Sequence, residues 1–278
     1  MRYYVTGDKH GDFHTILQDG LVKDANNAII ILGDAGFNFF LNKNDVKLKE
    51  SVSENSSCTW YCVRGNHEAR PEDVEGMDFV YDEKIKGNVL MQPEFPTIKY
   101  LCDGASYWMN QYRVAVIGGA YSVDKWWRLN RAGIYSKQDF GYFKPKKSGW
   151  FWNEQLDEDE MQKIYQNLGG ECYNFVFSHT CPYSWQPTDL FLGAVDQSSV
   201  DNSMEVWLDF MKREMVWDHW LFGHYHADRI ERPHVEQYYR DIEGLDDIVI
   251  RWEDWDDTQE LDWWLSISPN FMKENSHD

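Results

Sequence analysis

Arg2-Tyr3-Tyr4-Val5-Thr6-Gly7-Asp8-Lys9-His10-Gly11-Asp12 is the stretch that decides how this chain is read. A short β-rich apolar run at residues 3–5 breaks into a glycine. The polar residues that follow carry a carboxylate and an imidazole two positions apart. The same arrangement recurs downstream. Residues 28–32 run into Gly33-Asp34-Ala35-Gly36, and residues 59–63 into Arg64-Gly65-Asn66-His67-Glu68. Residues 174–177 run into Ser178-His179-Thr180, and residues 220–222 into Gly223-His224-Tyr225-His226. Apolar runs of this kind, with another at 114–117, are expected as strands buried on both faces. Helical patterns fall between some of them, at 14–22, 45–54, 157–168 and 203–215, the last preceded by Asp201 and Asn202 as candidate caps. Strands alternating with helices imply a layered α/β fold, in which ligands gather at the carboxyl ends of strands.

Composition narrows the class. The 278 residues are 42% hydrophobic, enough for a sizeable core, and no repeat or linker divides them, so one domain over 1–278 is expected. Lys and Arg number 27 against 47 Asp and Glu, a formal charge of -20. So acidic a chain repels a phosphate backbone, which excludes a broad nucleic-acid surface. Any anionic substrate must be held locally, by metal ions or a few placed cations. No apolar stretch approaches the ~20 residues that span a bilayer, so no membrane partner is expected. Strand-like sequence from residue 2 leaves no room for a signal peptide. The five cysteines (58, 62, 102, 172 and 181) form no ligand pattern and read as reduced thiols, with 58 and 62 on one strand face. These two readings place the chain in the cytoplasm.

Two segments stand apart. Seven Lys/Arg and one acid lie between 125 and 147, interleaved with aromatics that include Trp126 and Trp127. This basic-aromatic segment, about 119–150, follows a strand end at Gly118-Gly119 and is expected to wall a substrate, with Trp126 or Trp127 stacking on a base or aryl group and Arg128 or Arg131 facing a phosphate. Ten acids and one base, Arg251, lie between 241 and 262. Residues 248–252 and 263–267 are expected there as further strands, making an acidic C-terminal region of about 241–268.

The five strand ends carry the chemistry. Carboxylate with imidazole suits Mn, Fe, Zn, Co or Ni better than Ca or Mg. Asp8 and His10 can grip one ion from one side of a strand end, His224 and His226 repeat that spacing, and Asp34 stands alone as a bridging carboxylate would. Two ions about 3.5–4 Å apart can clamp a phosphate and ionise a water between them. Any one of these turns is a weak signal, whereas five in order, each at a strand end, form a specific one. His14, His219, His234 and His277 lack such a context and read as structural or surface residues.

The blocks Asp8-x-His10, Gly33-Asp34, Gly65-Asn66-His67-Glu68, His179 and Gly223-His224-x-His226 together resemble the calcineurin-like binuclear metallophosphoesterases, over residues 8 to 226. The resemblance implies a four-layer α/β/β/α sandwich, two mixed sheets flanked by helices. It implies that Asp8, His10, Asp34 and His226 hold one divalent ion and that Asp34, Asn66, His179 and His224 hold the other, with Mn the first choice in vitro. It also implies attack on phosphorus by a metal-bridging hydroxide, with His67 beside the scissile phosphate as general acid or stabilising cation and Asp34 central to catalysis. Residues 64–68 also look like the Ser/Thr protein phosphatase branch, which continues its second block as Gly-Asp-x-x-Asp-Arg-Gly. Here Phe37 and Asn38 occupy those two positions, so the supporting Asp and the phosphate-binding Arg are replaced. Asn38, Arg64, Arg128 and Arg131 are the candidates for the missing phosphate contact. The implied activity is hydrolysis of phosphate mono- or diesters of a small or nucleotide-like substrate. A phosphoprotein phosphatase is the alternative, and a non-catalytic metal-binding scaffold the alternative of another class.

Overall fold

The computed structural model describes residues 1–133, 149–193, 195–253 and 255. The segment 134–148, about half of the basic-aromatic stretch, and the expected strand at 263–267 lie outside them. In chain order the strands are β1 (Arg2–Thr6), β2 (Asn27–Ile31), β3 (Thr59–Cys62), β4 (Asp78–Asp82), β5 (Gly87–Met91), β6 (Ile98–Leu101), β7 (Ser106–Met109), β8 (Tyr112–Ile117), β9 (Cys172–Ser178), β10 (Val216–Phe222), β11 (Arg229–Arg232), β12 (Val235–Gln237) and β13 (Glu243–Gly244). The α-helices are α1 (Lys43–Asn55), α2 (Lys125–Arg131), α3 (Glu158–Leu168), α4 (Ser203–Glu214) and α5 (Leu245–Trp252).

Two mixed sheets result. One has the order β13-β1-β2-β3-β6-β5-β4 and the other β11-β12-β10-β9-β8-β7. Both are parallel at their centres, where β1, β2, β3 and β6 run together and β8, β9, β10 and β12 run together. Antiparallel strands close the margins. Alternation along each strand fills three layers, because successive side chains point to opposite faces. Ala28, Ile30 and Leu32 meet Val114, Val116, Phe175, Phe177 and Leu221 between the sheets. Ile29 and Ile31 turn outward onto Val52 of α1, together with Cys58, Trp60 and Cys62. Ala115, Ile117, Val176, Trp220 and Phe222 turn outward onto α3 and α4. Each fully buried Ile, Val or Phe of these layers contributes about 1.5–3 kcal/mol, so both faces of the central strands must be covered. The two mixed sheets flanked by helices form the expected α/β/β/α sandwich.

Local chemistry explains the helix boundaries. Asp157 caps α3 and, with Glu160, forms a reciprocal capping box. At α4 the N-cap residue Asn202 makes no side-chain cap, and Asp201 Oδ1 accepts from Ser203 N at 3.0 Å instead. The helical expectation at 14–22 is met only by two 3-10 turns, Ile16–Gln18 and Gly20–Lys23. Asp19, extended at φ -73° and ψ 139°, separates them and accepts from Leu21 N. Residues 248–252 are not a strand. They belong to α5, which buries Leu245, Ile248 and Trp252 and exposes Ile250. Those three buried positions recur at helical spacing, and the apolar face they share outweighs the β-branched character of Ile248-Val249-Ile250. Buried Glu236 accepts from Trp252 Nε1 at 2.7 Å and fastens the end of α5 to the sheet.

Candidate metal centre

The carboxyl ends of β1, β2, β3, β9 and β10 converge at the seam between the sheets, and hydrogen bonds lock them together. Lys9 N and His10 N both donate to Asp34 O, at 3.0 and 2.7 Å. His67 N donates to Asp34 Oδ1 at 2.7 Å. His224 N donates to Asp8 Oδ1 at 2.9 Å, and His179 Nδ1 lies 2.8 Å from Leu32 O, so each sheet reaches into the other. Two glycines of the motifs are required by this crowding. A Cβ on Gly65 would stand 1.9 Å from Asp34 Oδ1, and one on Gly33 would stand 1.9 Å from His179 Nδ1.

The remaining polar atoms face one another. His226 Nε2 and His10 Nε2 lie 3.2 and 3.7 Å from Asp8 Oδ2, and 2.9 Å from each other. Asp34 Oδ2 lies 3.9 Å from His10 Nε2 and 3.6 Å from His179 Nε2. His179 Nε2 is also 2.8 Å from Asn66 Oδ1, whose amide nitrogen donates to Ser122 Oγ at 2.8 Å. Among the described residues two groups compact enough to enclose an ion emerge, Asp8-His10-His226 and Asp8-Asp34-His179. Asp8 is common to both, and Asp34 touches a histidine on either side. His224 joins neither group, but its ring lies 5.0 Å from that of His179.

The donor set fits divalent cations. Asp8 Oδ2 and Asp34 Oδ2 are buried and have no hydrogen-bond partner. A buried carboxylate oxygen left in this way is costly unless a cation satisfies it. Leu32 O can only accept, so His179 carries its proton on Nδ1 and, when neutral, aims the Nε2 lone pair at Asp34. Burial resists a charge on His179, yet the Asp34 carboxylate overrides it and pushes His179 up to about 9. Burial likewise works against ionised Asp8 and Asp34, but the neighbouring imidazoles hold both below the usual carboxylate range. The Asp8 and Asp34 carboxylates therefore stay ionised, as cation binding requires. Burial together with the charge on His179 brings His224 down to about 3, leaving it the neutral ring that ligation needs.

Backbone strain marks the same residues. Among the eight non-glycine residues at positive φ in the described chain are His10 (47°), Asp34 (48°), His224 (68°) and His226 (55°). Each such residue costs about 1–3 kcal/mol and persists only where surrounding contacts hold it. Glu68 helps to hold the 65–68 turn: its carboxylate, buried to 1% exposure, accepts from Tyr100 OH at 2.7 Å and from Gly65 N at 3.3 Å. Tyr239, which no motif signals, stacks on His226 with ring centres 4.9 Å apart. Asp228 Oδ1 accepts from the backbone N of Tyr239, Arg240 and Asp241, fixing that loop.

A cavity of about 700 Å³ opens over the seam and is lined by His10, Asp34, Asn66, His67, His224 and His226. Of the candidate substrate contacts, only Arg128 lines it. Its guanidinium donates to Asp124 Oδ2 at 2.6 Å and to Gly149 O at 2.9 Å. Trp126 and Trp127 project from α2 half exposed and outside the lining, and Arg131 lies over the Trp127 ring, so these three do not wall the cavity. Arg64 is buried and bonded to Asp103, Glu154 O and Gly118 O, which removes it from phosphate binding. Asn38 is buried with its carbonyl on Lys49 Nζ at 2.7 Å, away from the cavity. A local motif cannot distinguish these fates, because the partners of Arg64 lie 39 to 90 residues away.

Among the described residues no helix is long and apolar enough to cross a membrane. No curated protein matches the chain. A family model described as calcineurin-like phosphoesterase matches residues 1–228, which takes in every strand end of the seam, and the chain therefore belongs to that family.

Proposed function

We propose that the protein hydrolyses phosphate monoesters or diesters of small molecules at a pair of divalent metal ions held by Asp8, His10, Asp34, Asn66, His179, His224 and His226. The observation that carries this reading is the pair of buried carboxylate oxygens of Asp8 and Asp34 that have no hydrogen bond, Asp34 lining the open cavity and Asp8 lying against the His10 and His226 rings that line it. When bound, the ions supply positive charge to the phosphoryl oxygens and a water ionised at neutral pH.

The chain's own residues do the rest. Asp34, between His10 and His179, belongs to both halves of the floor, so its loss disrupts both. His67 is tied to Asp34 through its backbone N–H and faces the same cavity, beside the His10 ring at 5.5 Å. Burial first, and the Arg128 charge after it, lower the His67 pKa against the pull of Asp34. An anionic ester entering the cavity works the other way, so His67 takes up its proton with substrate and passes it to the leaving oxygen.

The test is hydrolysis of 4-nitrophenyl phosphate, bis(4-nitrophenyl) phosphate and a phosphopeptide with added Mn, Fe, Zn, Co or Ni, alongside elemental analysis. Two ions per chain, with small-ester turnover abolished by chelation and by Asp34→Asn, is the expected result. Turnover of the phosphopeptide alone would establish the protein phosphatase alternative. Bound metal with no turnover of any ester would leave the scaffold.

A further inference from the structure

The half of the cavity away from the metal floor is apolar. It is lined by Phe39 and Phe40 on the loop after β2, and by Leu190, Phe191, Leu192 and Val195 on the segment between β9 and α4. Phe40 is 50% exposed and Leu192 63% exposed, although both line this cavity. A row of rings makes the two halves continuous: Phe191 stacks on Tyr225 at 6.4 Å, and Tyr225 packs edge-on to His224 at 4.8 Å. On the other side Phe39 packs against Phe40 at 4.9 Å and Phe151 at 6.3 Å.

Charge separates the halves further. Arg128 is the one Lys or Arg among the described lining residues, and it is already engaged by Asp124 and Gly149. The acids lining the cavity beyond the floor are Asp45, Asp124 and Glu205. Asp45 is occupied by the N–H groups of Phe40 and Leu41, while buried Glu205 accepts from Thr180 Oγ1 and leaves Oε2 without a partner. Among the described residues a second or third phosphate would find no free cation there, whereas an apolar group would cover surface that otherwise faces water.

We propose that this chamber seats the organic group of the ester, and that the preferred substrates are phosphoesters of apolar alcohols, aryl or extended alkyl, with a single phosphate. The proposal rests on the phosphoesterase reading above. It disfavours nucleoside triphosphates and pyrophosphate, because the described lining offers their remaining phosphates apolar side chains and the Asp124–Arg128 pair in place of a free cation.

The experiment compares ethyl, n-hexyl and 3-phenylpropyl phosphate, and the methyl diester of each, with ATP, using the Mn-loaded enzyme. Their leaving alkoxides are of similar basicity, so the slope of kcat/KM along the series reports binding. A buried methylene contributes about 0.8 kcal/mol, close to fourfold, so partial burial predicts a rise of at least about tenfold from ethyl to 3-phenylpropyl, with ATP below ethyl phosphate. The double variant F40S/L192S changes two exposed side chains of the chamber, and should bring the ratio of 3-phenylpropyl to ethyl phosphate down towards one. A flat wild-type series, a preference for ATP, or a slope that survives in the variant would overturn the chamber. Calorimetry with the non-hydrolysable ethyl- and 3-phenylpropylphosphonic acids separates this failure from that of the phosphoesterase reading. Selective binding of the longer phosphonate without turnover of any ester would retain the chamber and reject hydrolysis, while turnover with equal phosphonate affinities would retain hydrolysis and reject the chamber.

Discussion

The two halves of the cavity are built on opposite plans. The floor consists of polar atoms at the ends of buried parallel strands, held by hydrogen bonds from both sheets and in part by strained backbone. The chamber consists of apolar side chains on loops, several facing solvent, in contact through ring faces and edges. Polar coordination tolerates little displacement, whereas dispersion contacts are individually weak and easily replaced. The floor should therefore respond steeply to single-atom changes, and the chamber gradually.

Substitution at Asp34 is the strongest way to break this contrast. Asp34→Asn should reduce kcat/KM by more than the ~10²–10⁴ expected for His67→Ala, and should lower metal content as well. His67→Ala should leave both ions in place, as elemental analysis of the two variants would reveal. Equal metal content in both would mean that Asp34 is no ligand. Gly65→Ala is the next test, since it changes no donor atom and only drives a methyl group onto Asp34. Loss of about 10–100-fold in metal affinity, the range for disturbing a ligand's support, is expected from a metal titration. An unchanged affinity would show that the floor is softer than its contacts suggest.

Glu205, on the chamber side, probes stability rather than chemistry. Burial raises its pKa to about 7, against the opposing hydrogen bonds from its own backbone and Thr180. Its folded pKa lies above the ordinary glutamate value, so the stability present below about pH 4.5 is lost as pH rises through about 7. Glu205→Gln removes that ionisation. The stability of the variant, followed by thermal unfolding, should gain on the wild type between pH 5 and pH 8 by an amount on the order of 2–3 kcal/mol. A constant difference across that range would mean the carboxyl is not held neutral. The smallest effect is expected from Leu192→Ser, whose stability should stay within about 0.5 kcal/mol of the wild type by thermal unfolding.

How much of this could be read in advance follows from the length scale of each interaction. Residues 28–32 are apolar without interruption, and a strand covered on both faces requires that pattern. The margins were not legible. β4 carries exposed Phe79 and Tyr81 beside polar neighbours, and β7 and β11 are four residues long, too short for periodicity to separate them from loops. The strand expected over 248–252 is a helix because its partners are Glu236 and the sheet beneath, which no local propensity encodes. The donor types of the floor were readable because coordination chemistry restricts them to carboxylate, imidazole and amide, and because each sits beside a turn glycine or a strand end. Their left-handed backbone, the tautomer set by Leu32 O and the ring of Tyr239 over His226 were not.

Sequence alone determined which side chains make up the floor, since short motifs carry both their carboxylate, imidazole and amide groups and the turns that present them. Tertiary structure decided which cations remain for a substrate and where the apolar wall stands. Arg64 went to Asp103 and the Glu154 carbonyl, Trp126 and Trp127 stayed outside, and Leu190, Phe191, Leu192 and Val195 came to line the cavity with His224. Those outcomes depend on contacts between residues far apart in the chain, and such contacts exist only once both sheets have closed on one core.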